Sequence, residues 1–165
     1  MAVRPVYRLP ERVLKRRAEE VGGAPDAALV ADLVDTMRAS PACVGLAAPQ
    51  IGVGARVIAV DVTGHPKTTV CHGLIVLADP VVIERSGRAV GREGCMSVPD
   101  LTANVARSTH LVVSGIDPHG NEQVIATEGF EARALQHEID HLDGLLILDR
   151  VASLATDVFR RKTYR

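Results

Sequence analysis

Gln136-His137-Glu138-Ile139-Asp140-His141-Leu142-Asp143-Gly144 is the stretch on which the reading of this chain turns. Its two histidines stand four residues apart, and on an α-helix positions i and i+4 lie one above the other on the same face. Both imidazoles can then reach one metal ion. Glu138 lies beside that face, where its carboxylate can meet a water on the metal. The pattern is the His-Glu-x-x-His arrangement of metal-dependent hydrolases. The flanks favour a helix. Glu131 to Gln136 holds good helix formers and no breaker, and Gly144 follows as a C-terminal stop. Catalytic centres of this type take three protein ligands and leave a position for water, so the rest of the chain has to supply a third ligand.

At 165 residues, 47% of them hydrophobic, the chain is long enough for one domain with its own core. Aromatic residues make up only 2%, so Val, Leu, Ile and Ala have to fill that core. A net charge of −1 gives no overall pull toward DNA or a membrane surface, and no apolar run approaches a membrane span. Met1 to Arg17 carries scattered charges and no apolar stretch, which is not the pattern of a secretory leader. Three cysteines at irregular spacing are not a disulfide framework and suit a reducing cytoplasm.

Along the chain, residues 10–17 read as a short helix after a proline turn. Asp26 to Ala39 reads as a longer one, capped by Asp26, with Leu29, Val30, Leu33, Val34 and Met37 at three- and four-residue steps and Ser40-Pro41 at its end. Val44 to Gly52 shows neither period and reads as a loop or an irregular edge. Arg56 to Val62, Val70 to Leu77 and Val81 to Glu84 read as strands, the last two separated by Asp79-Pro80. Ser86-Gly87 reads as a hairpin turn. Leu111 to Ile116 and Gln123 to Ala126 flank Asp117-Pro118-His119-Gly120-Asn121 as a second hairpin. Ser153 to Arg161 reads as a last short helix. The order implies an α+β domain over residues 1–165, with antiparallel or mixed sheets packed around the C-terminal metal-binding helix.

Cys95, in Glu93-Gly94-Cys95-Met96-Ser97-Val98-Pro99, is the candidate third ligand. The glycine before it and the proline after it argue against regular core structure, and a thiolate on such a turn can approach the helix closely. Cys71-His72 and His65 offer a second set of metal-binding types. They fall on an expected strand and its preceding turn, where cysteine is commonly just buried. His110 and His119 read as surface residues.

Val44-Gly45-Leu46-Ala47-Ala48-Pro49-Gln50, Glu93-Gly94-Cys95-Met96-Ser97 and Gln136-His137-Glu138-Ile139-Asp140-His141 together resemble the three motifs of peptide deformylases, in that family's order and approximate spacing. The resemblance extends from about Arg4 to about Val151. Two positions depart from the usual pattern: Cys43, where many members have glycine, and Met96, where leucine is usual. Leu to Met keeps volume and apolarity, and Cys43 matters only if its backbone needs a positive φ.

The resemblance implies removal of the formyl group from formyl-methionine at the start of new polypeptides, with release of formate. It implies metal ligation by Cys95, His137 and His141, and Glu138 as the group that moves protons. It further implies oxyanion stabilisation by the Gln50 side chain and the Met96 backbone N–H, and pairing of the peptide with the backbone of Gly45. Val44, Met96 and Ala134 are implied to line the methionine pocket. Arg133 is expected at its rim, stem on the apolar wall and charge in water. The ligand types suit zinc and accept iron, cobalt or nickel. The resemblance implies ferrous iron in the cell. Glu93 and Arg107 are candidates for orienting the ligands. Asp140 is expected to hold a partner across the core. The basic tail Arg160-Arg161-Lys162-Thr163-Tyr164-Arg165 is a candidate for weak contact with ribosomal RNA. Two other classes share parts of this pattern. A metallopeptidase would share the helix but not the cysteine motif or Gln50. A non-catalytic peptide- or ribosome-binding relative would not need the full ligand set.

Overall fold

Aliphatic side chains build the core, as the shortage of aromatics requires. Residues 2–162 are described by the structure, a computed structural model. Helix α1 runs Ala27–Ala39, and the Asp26 carboxylate caps it by accepting the Leu29 N–H at 3.1 Å. Strand β1 (Gly45–Ala47) follows, then a single 3-10 turn (Ala48–Ile51) and β2 (Val57–Val60). Strands β3 (Ile75–Ser86), β4 (Ala89–Cys95), β5 (Val98–Arg107), β6 (His110–Ile116) and β7 (Glu122–Glu128) lead into helix α2 (Gly129–Leu142). A one-turn helix α3 (Ile147–Arg150) and strand β8 (Val158–Arg160) complete the described chain.

The strands form two antiparallel sheets, one ordered β1-β2-β3-β6-β7 and the other β4-β5-β8. Helix α2 lays Ala132, Leu135, Ile139 and Leu142 against Ala47, Ile58, Val60, Leu77 and Val113 of the larger sheet. Each large aliphatic side chain so buried contributes about 1.5–3 kcal/mol. That packing fixes which face of α2 is left for chemistry. A smaller cluster of Cys95, Val98, Ala103, Val105, Leu146 and Ile147 joins the second sheet to α3. The α+β reading therefore holds, as do α1, the β6–β7 hairpin and the metal helix. Gly144 ends α2 in the left-handed region at φ 73°, its N–H on the His141 carbonyl at 3.2 Å.

Several elements differ from the sequence reading. Residues 10–17 form only a 3-10 turn, Arg12–Lys15. Within Val44 to Gly52 lies a true edge strand, β1, too short to show a period. Residues 70–74 are not strand, and β3 runs straight through Asp79-Pro80. Asp79 takes φ 49° at a register shift between Ala78 and Val81, and its carboxylate accepts the N–H groups of Val21 and Gly22, both at 2.8 Å. The bulge absorbs the proline that would otherwise break a central strand. Ser86-Gly87 is not a hairpin turn, because β3 pairs with β6 and β4 with β5; the chain there crosses between sheets. Ser153 to Arg161 is not a helix: it ends in β8, whose residues pair with β5. The tail reading falls partly on residues 163–165, and the leader reading begins at Met1, all outside the described residues.

Candidate active site

Helix α2 and the end of β4 bring Cys95, His137 and His141 together from two sheets' worth of chain. One donor atom from each lies within 4.8 Å of the others. The Cys95 sulfur is 3.4 Å from His141 Nε2. A tetrahedral ion about 2.3 Å from sulfur and about 2.1 Å from nitrogen needs a sulfur–nitrogen edge of about 3.6 Å, so the set fits a divalent metal. Cys95 reaches this place because β4 and β5 form a hairpin with Met96-Ser97 at its tip, and a register shift between Gly94 and Cys95 turns the thiol out of the ladder.

The N-terminal segment ties the first two motifs together. Tyr7 donates its N–H to the Gln50 carbonyl at 2.7 Å, Leu9 donates to the Ser97 carbonyl at 3.0 Å, and the Ser97 hydroxyl donates to the Tyr7 carbonyl at 2.7 Å. The buried Gln50 amide is held from both ends. Its oxygen accepts the Ala47 N–H at 3.0 Å, while its nitrogen lies 3.2 Å from Ser97 Oγ and 3.7 Å from the Cys95 sulfur. The amide N–H groups are thereby aimed at the metal-binding cluster. Ser97, buried in the tip of the hairpin, supports that orientation and was not assigned a role from sequence.

Glu93 and Arg107, only candidates in the sequence, meet here in full. Arg107 donates to both Glu93 oxygens at 2.9 and 3.0 Å, and Glu93 Oε1 lies 2.9 Å from His137 Nδ1. That contact leaves the other ring nitrogen of His137 for the cluster. Burial alone would raise the Glu93 carboxyl; hydrogen bonds from His137 and Arg107 hold it well below the usual carboxylate range. Asp140 finds its partners in Arg107 and in Arg150, which grips it at 2.7 and 2.9 Å.

Glu138 lies buried beside the cluster, its Oε1 4.0 Å from His137 Nε2, and its Oε2 meets no donor among the described residues. Burial pushes its carboxyl up to about 7, against the pull of the His137 charge. Gly45 is why β1 can sit so close. A Cβ there would stand 2.8 Å from Glu138 Oε1. Since β1 is paired on one side only, its other edge is open to an extended peptide.

Val44, Gly45, Gln50, Met96, Ala134 and Glu138 all border one cavity of about 330 Å³. Arg133 borders it too, but its charge does not reach water as expected. Nη1 donates to Glu93 Oε2 at 2.7 Å and to the Val105 carbonyl at 2.9 Å, and Nη2 to the Ala89 carbonyl at 2.9 Å. An inward carboxylate, Glu93, outbids solvent for it, and Gly91 leaves room: a Cβ at Gly91 would be 2.9 Å from Arg133 Cζ. Cys43 needs no positive φ. Its neighbour Ala42 takes that conformation, at 58°. Burial pushes the Cys43 thiol up to about 12, and it donates to the Gly45 carbonyl at 3.1 Å.

The second set of metal-binding types does not assemble. His72 bonds to buried Glu131, His65 stacks on Phe130 with centroids 4.2 Å apart, and Cys71 is exposed. His110 is exposed and pairs with Glu128, and His119 is exposed. Phe130, His65, Lys67, Arg92 and Arg161 also border the cavity. They come from separate parts of the chain; the sequence offered His65 only as a ligand of a second metal and Arg161 only as part of the basic tail, and no local pattern marked Phe130, Lys67 or Arg92.

Residues 3–157 match the polypeptide deformylase family. The chain is 43% identical to a peptide deformylase of Desulforudis audaxviator, covering 98% of this chain and 99% of the relative, and 39% identical to that of Thermodesulfovibrio yellowstonii over 98% and 97%. Its fold is similar to that of the Ehrlichia chaffeensis peptide deformylase crystallised with actinonin, with a TM-score of 0.86 at 32% identity over 94% of this chain and 92% of that one. No described helix is long and apolar enough to cross a membrane. Matched along nearly its whole length in sequence and in fold, the chain belongs to the peptide deformylase family, metal-dependent hydrolases that remove the formyl group from the N-terminus of new polypeptides.

Proposed function

We propose that Cys95, His137 and His141 hold one divalent ion, ferrous iron in the cell and zinc, nickel or cobalt in protein purified without care for it, and that the cavity beside them takes the formyl-methionine end of a nascent peptide. The convergence of the three donor atoms beside a cavity that Cys95, His137 and Glu138 border carries this reading. An ion so held polarises the formyl oxygen and lowers the pKa of water toward neutrality. Glu138 takes a proton from the attacking water and passes it to the leaving nitrogen as the amide bond breaks, which gives formate and a free amine. The Gln50 amide and the Met96 N–H receive the developing oxyanion. Each such donor is worth about 3–4 kcal/mol. The open edge of β1 at Gly45 aligns the peptide backbone, and Val44, Met96 and Ala134 wall the methionine side chain. Arg133 closes that wall through its grip on Glu93.

The whole chain, residues 1–165, is one catalytic domain in this reading. It works in the bacterial cytoplasm, where formylated nascent chains are made. The basic tail from Arg160 supplies weak, salt-sensitive contact with ribosomal RNA, and neither membrane nor DNA is engaged.

The test is formate release from a formyl-Met peptide by anaerobically purified, metal-assayed protein, beside an assay for internal peptide-bond cleavage. Formate release without internal cleavage is expected. Internal cleavage would mark a metallopeptidase. No turnover by metal-replete protein would mark a binding relative.

A further inference from the structure

Lys67, Arg92 and Arg161 surround the mouth of the cavity, and none of them forms an ion pair among the described residues. They arrive from three directions. Lys67 stands in the loop between β2 and β3. Arg92, on β4, lies with its guanidinium 3.6 Å above the centre of the Phe159 ring and donates to the neutral Asn104 side chain at 3.0 Å. Arg161 follows β8, which β5 carries to this side; its backbone N–H donates to the Asp100 carbonyl at 2.8 Å. The Arg161 guanidinium passes over Gly94, next to Cys95: a Cβ on Gly94 would stand 2.3 Å from its Nη2.

The cavity's carboxylates do not balance these charges. Glu93 and Glu138 border it, and both are buried in its floor. Glu93 is already engaged by Arg107, Arg133 and His137. Among the described residues, a chain with a net charge of −1 thus gathers three cations without an ion pair, and no exposed carboxylate, along the lining of one cavity. A second cleft of about 240 Å³ adjoins the first and shares Lys67, Arg92, Phe130 and Arg133 with it. The cationic surface therefore continues beyond the cavity into this neighbouring cleft.

We propose that Lys67, Arg92 and Arg161 are specificity-determining residues that favour carboxylate-bearing side chains among the first residues after the methionine of the formylated substrate. The inference rests on the deformylase reading above. Charges placed around a concave mouth face what enters it, and cations there raise both the encounter rate and the residence of an acidic ligand. A guanidinium already held over an aromatic ring loses less freedom on pairing than a free one. Solvent-exposed pairs are individually weak, so a substrate that engages two of them gains about two- to thirtyfold in kcat/KM.

The test is a panel of C-terminally amidated formyl-Met peptides with alanine, aspartate or lysine at the second, third and fourth positions. Amidation removes the terminal carboxylate as a source of the same charge, and one free-acid peptide measures that source separately. The expected order is aspartate above alanine above lysine at one or more positions, at low salt, with the gap narrowing at high salt. Replacing Lys67 and Arg161 with glutamate in holoenzyme is expected to invert the order, and Arg92→Ala to bring the aspartate-to-alanine ratio toward one. Turnover of the alanine peptide with an aspartate-to-lysine ratio of one at every position overturns the inference and leaves the deformylase reading intact. So does a preference confined to the free-acid peptide. No turnover of the alanine peptide sinks both. An unchanged ratio in the charge-reversed protein, together with lost pelleting with ribosomes, would overturn the inference and assign the cations to RNA. The unsubstituted enzyme decides the question by itself if a variant does not fold.

Discussion

Gly45→Ala is the substitution that most directly probes how closely β1 approaches the metal helix. The added Cβ would stand 2.8 Å from Glu138 Oε1, 2.9 Å from its Cγ and 3.1 Å from its Cδ. Real Cβ atoms essentially never show contacts under 3.0 Å, so the buried Glu138 side chain has to shift. Inserting a methyl into a packed site costs about 1–3 kcal/mol. For a chain of this size that lowers Tm by about 2–4 °C per kcal/mol. The displaced atom is the carboxylate oxygen that has to meet the proton, and a shift of about 1 Å at a reacting group can cost about 100-fold. The variant is therefore expected to keep its metal, lose about 1–3 kcal/mol in urea unfolding, and fall about 10- to 100-fold in kcat for formate release. A double-mutant cycle makes the cause explicit. In a Glu138→Ala background all three contacted atoms are gone, so Gly45→Ala should cost almost nothing in stability there. An equal cost in both backgrounds, or full kcat in the single variant, would refute the reasoning.

Air should inactivate the iron-loaded enzyme faster than the nickel-loaded one, since ferrous iron and a thiolate are both oxidisable; equal half-lives in air and under argon for the iron form would exclude this. Cys95→Ser should lower metal content, measured by elemental analysis, because a neutral hydroxyl replaces a thiolate; a trapped formyl-cysteine in single-turnover mass spectrometry would instead make Cys95 a nucleophile. Asp149 is held below the usual carboxylate range, where burial raises it but Lys15 at 2.6 Å and the Leu146 N–H outweigh that. A depressed carboxylate stabilises the fold above its unfolded pKa of about 3.9 and loses that contribution as pH falls through the folded value. Asp149→Asn should therefore cost up to about 1 kcal/mol near neutrality and nothing once both states are protonated, and parallel unfolding curves across pH would contradict it.

The parts of the site legible in the sequence were those where chemistry and local period coincide. His137, Glu138 and His141 sit on one helix, so their spacing alone implied a shared ion. Asp26 and the Leu-Val steps after it defined α1 in the same way. The β4–β5 hairpin was not legible. Its first strand runs Gly91-Arg92-Glu93-Gly94 without an apolar alternation, and its inward carboxylate, Glu93, is buried only because Arg107, Arg133 and His137 converge on it. Such a residue looks like surface until its partners, 14 to 44 positions away, are placed. Arg133 was misread for the same reason: a local view offers it water, whereas the fold offers it Glu93 and two carbonyls. Asp79-Pro80 punctuates the sequence as a break, but the bulge and the backbone groups of Val21 and Gly22 let β3 continue. Residues 153–161 carry a serine and apolar spacing that permit a helix. Pairing with β5 claims their end as a strand instead, which no local propensity reveals.

Glu138→Gln beside His141→Ala, with metal content and formate release measured on the same preparations, tests the central claim most directly. The carboxamide keeps the shape of Glu138 but cannot take the proton, so Glu138→Gln should retain its metal, still bind a formyl-Met peptide and lose turnover by about 10⁴-fold, the upper end for acid–base catalysis. His141→Ala should lose metal and activity together. Glu138→Gln protein that emerges without metal would make Glu138 a ligand, and near-full turnover with metal bound would place the base elsewhere; either result contradicts the account.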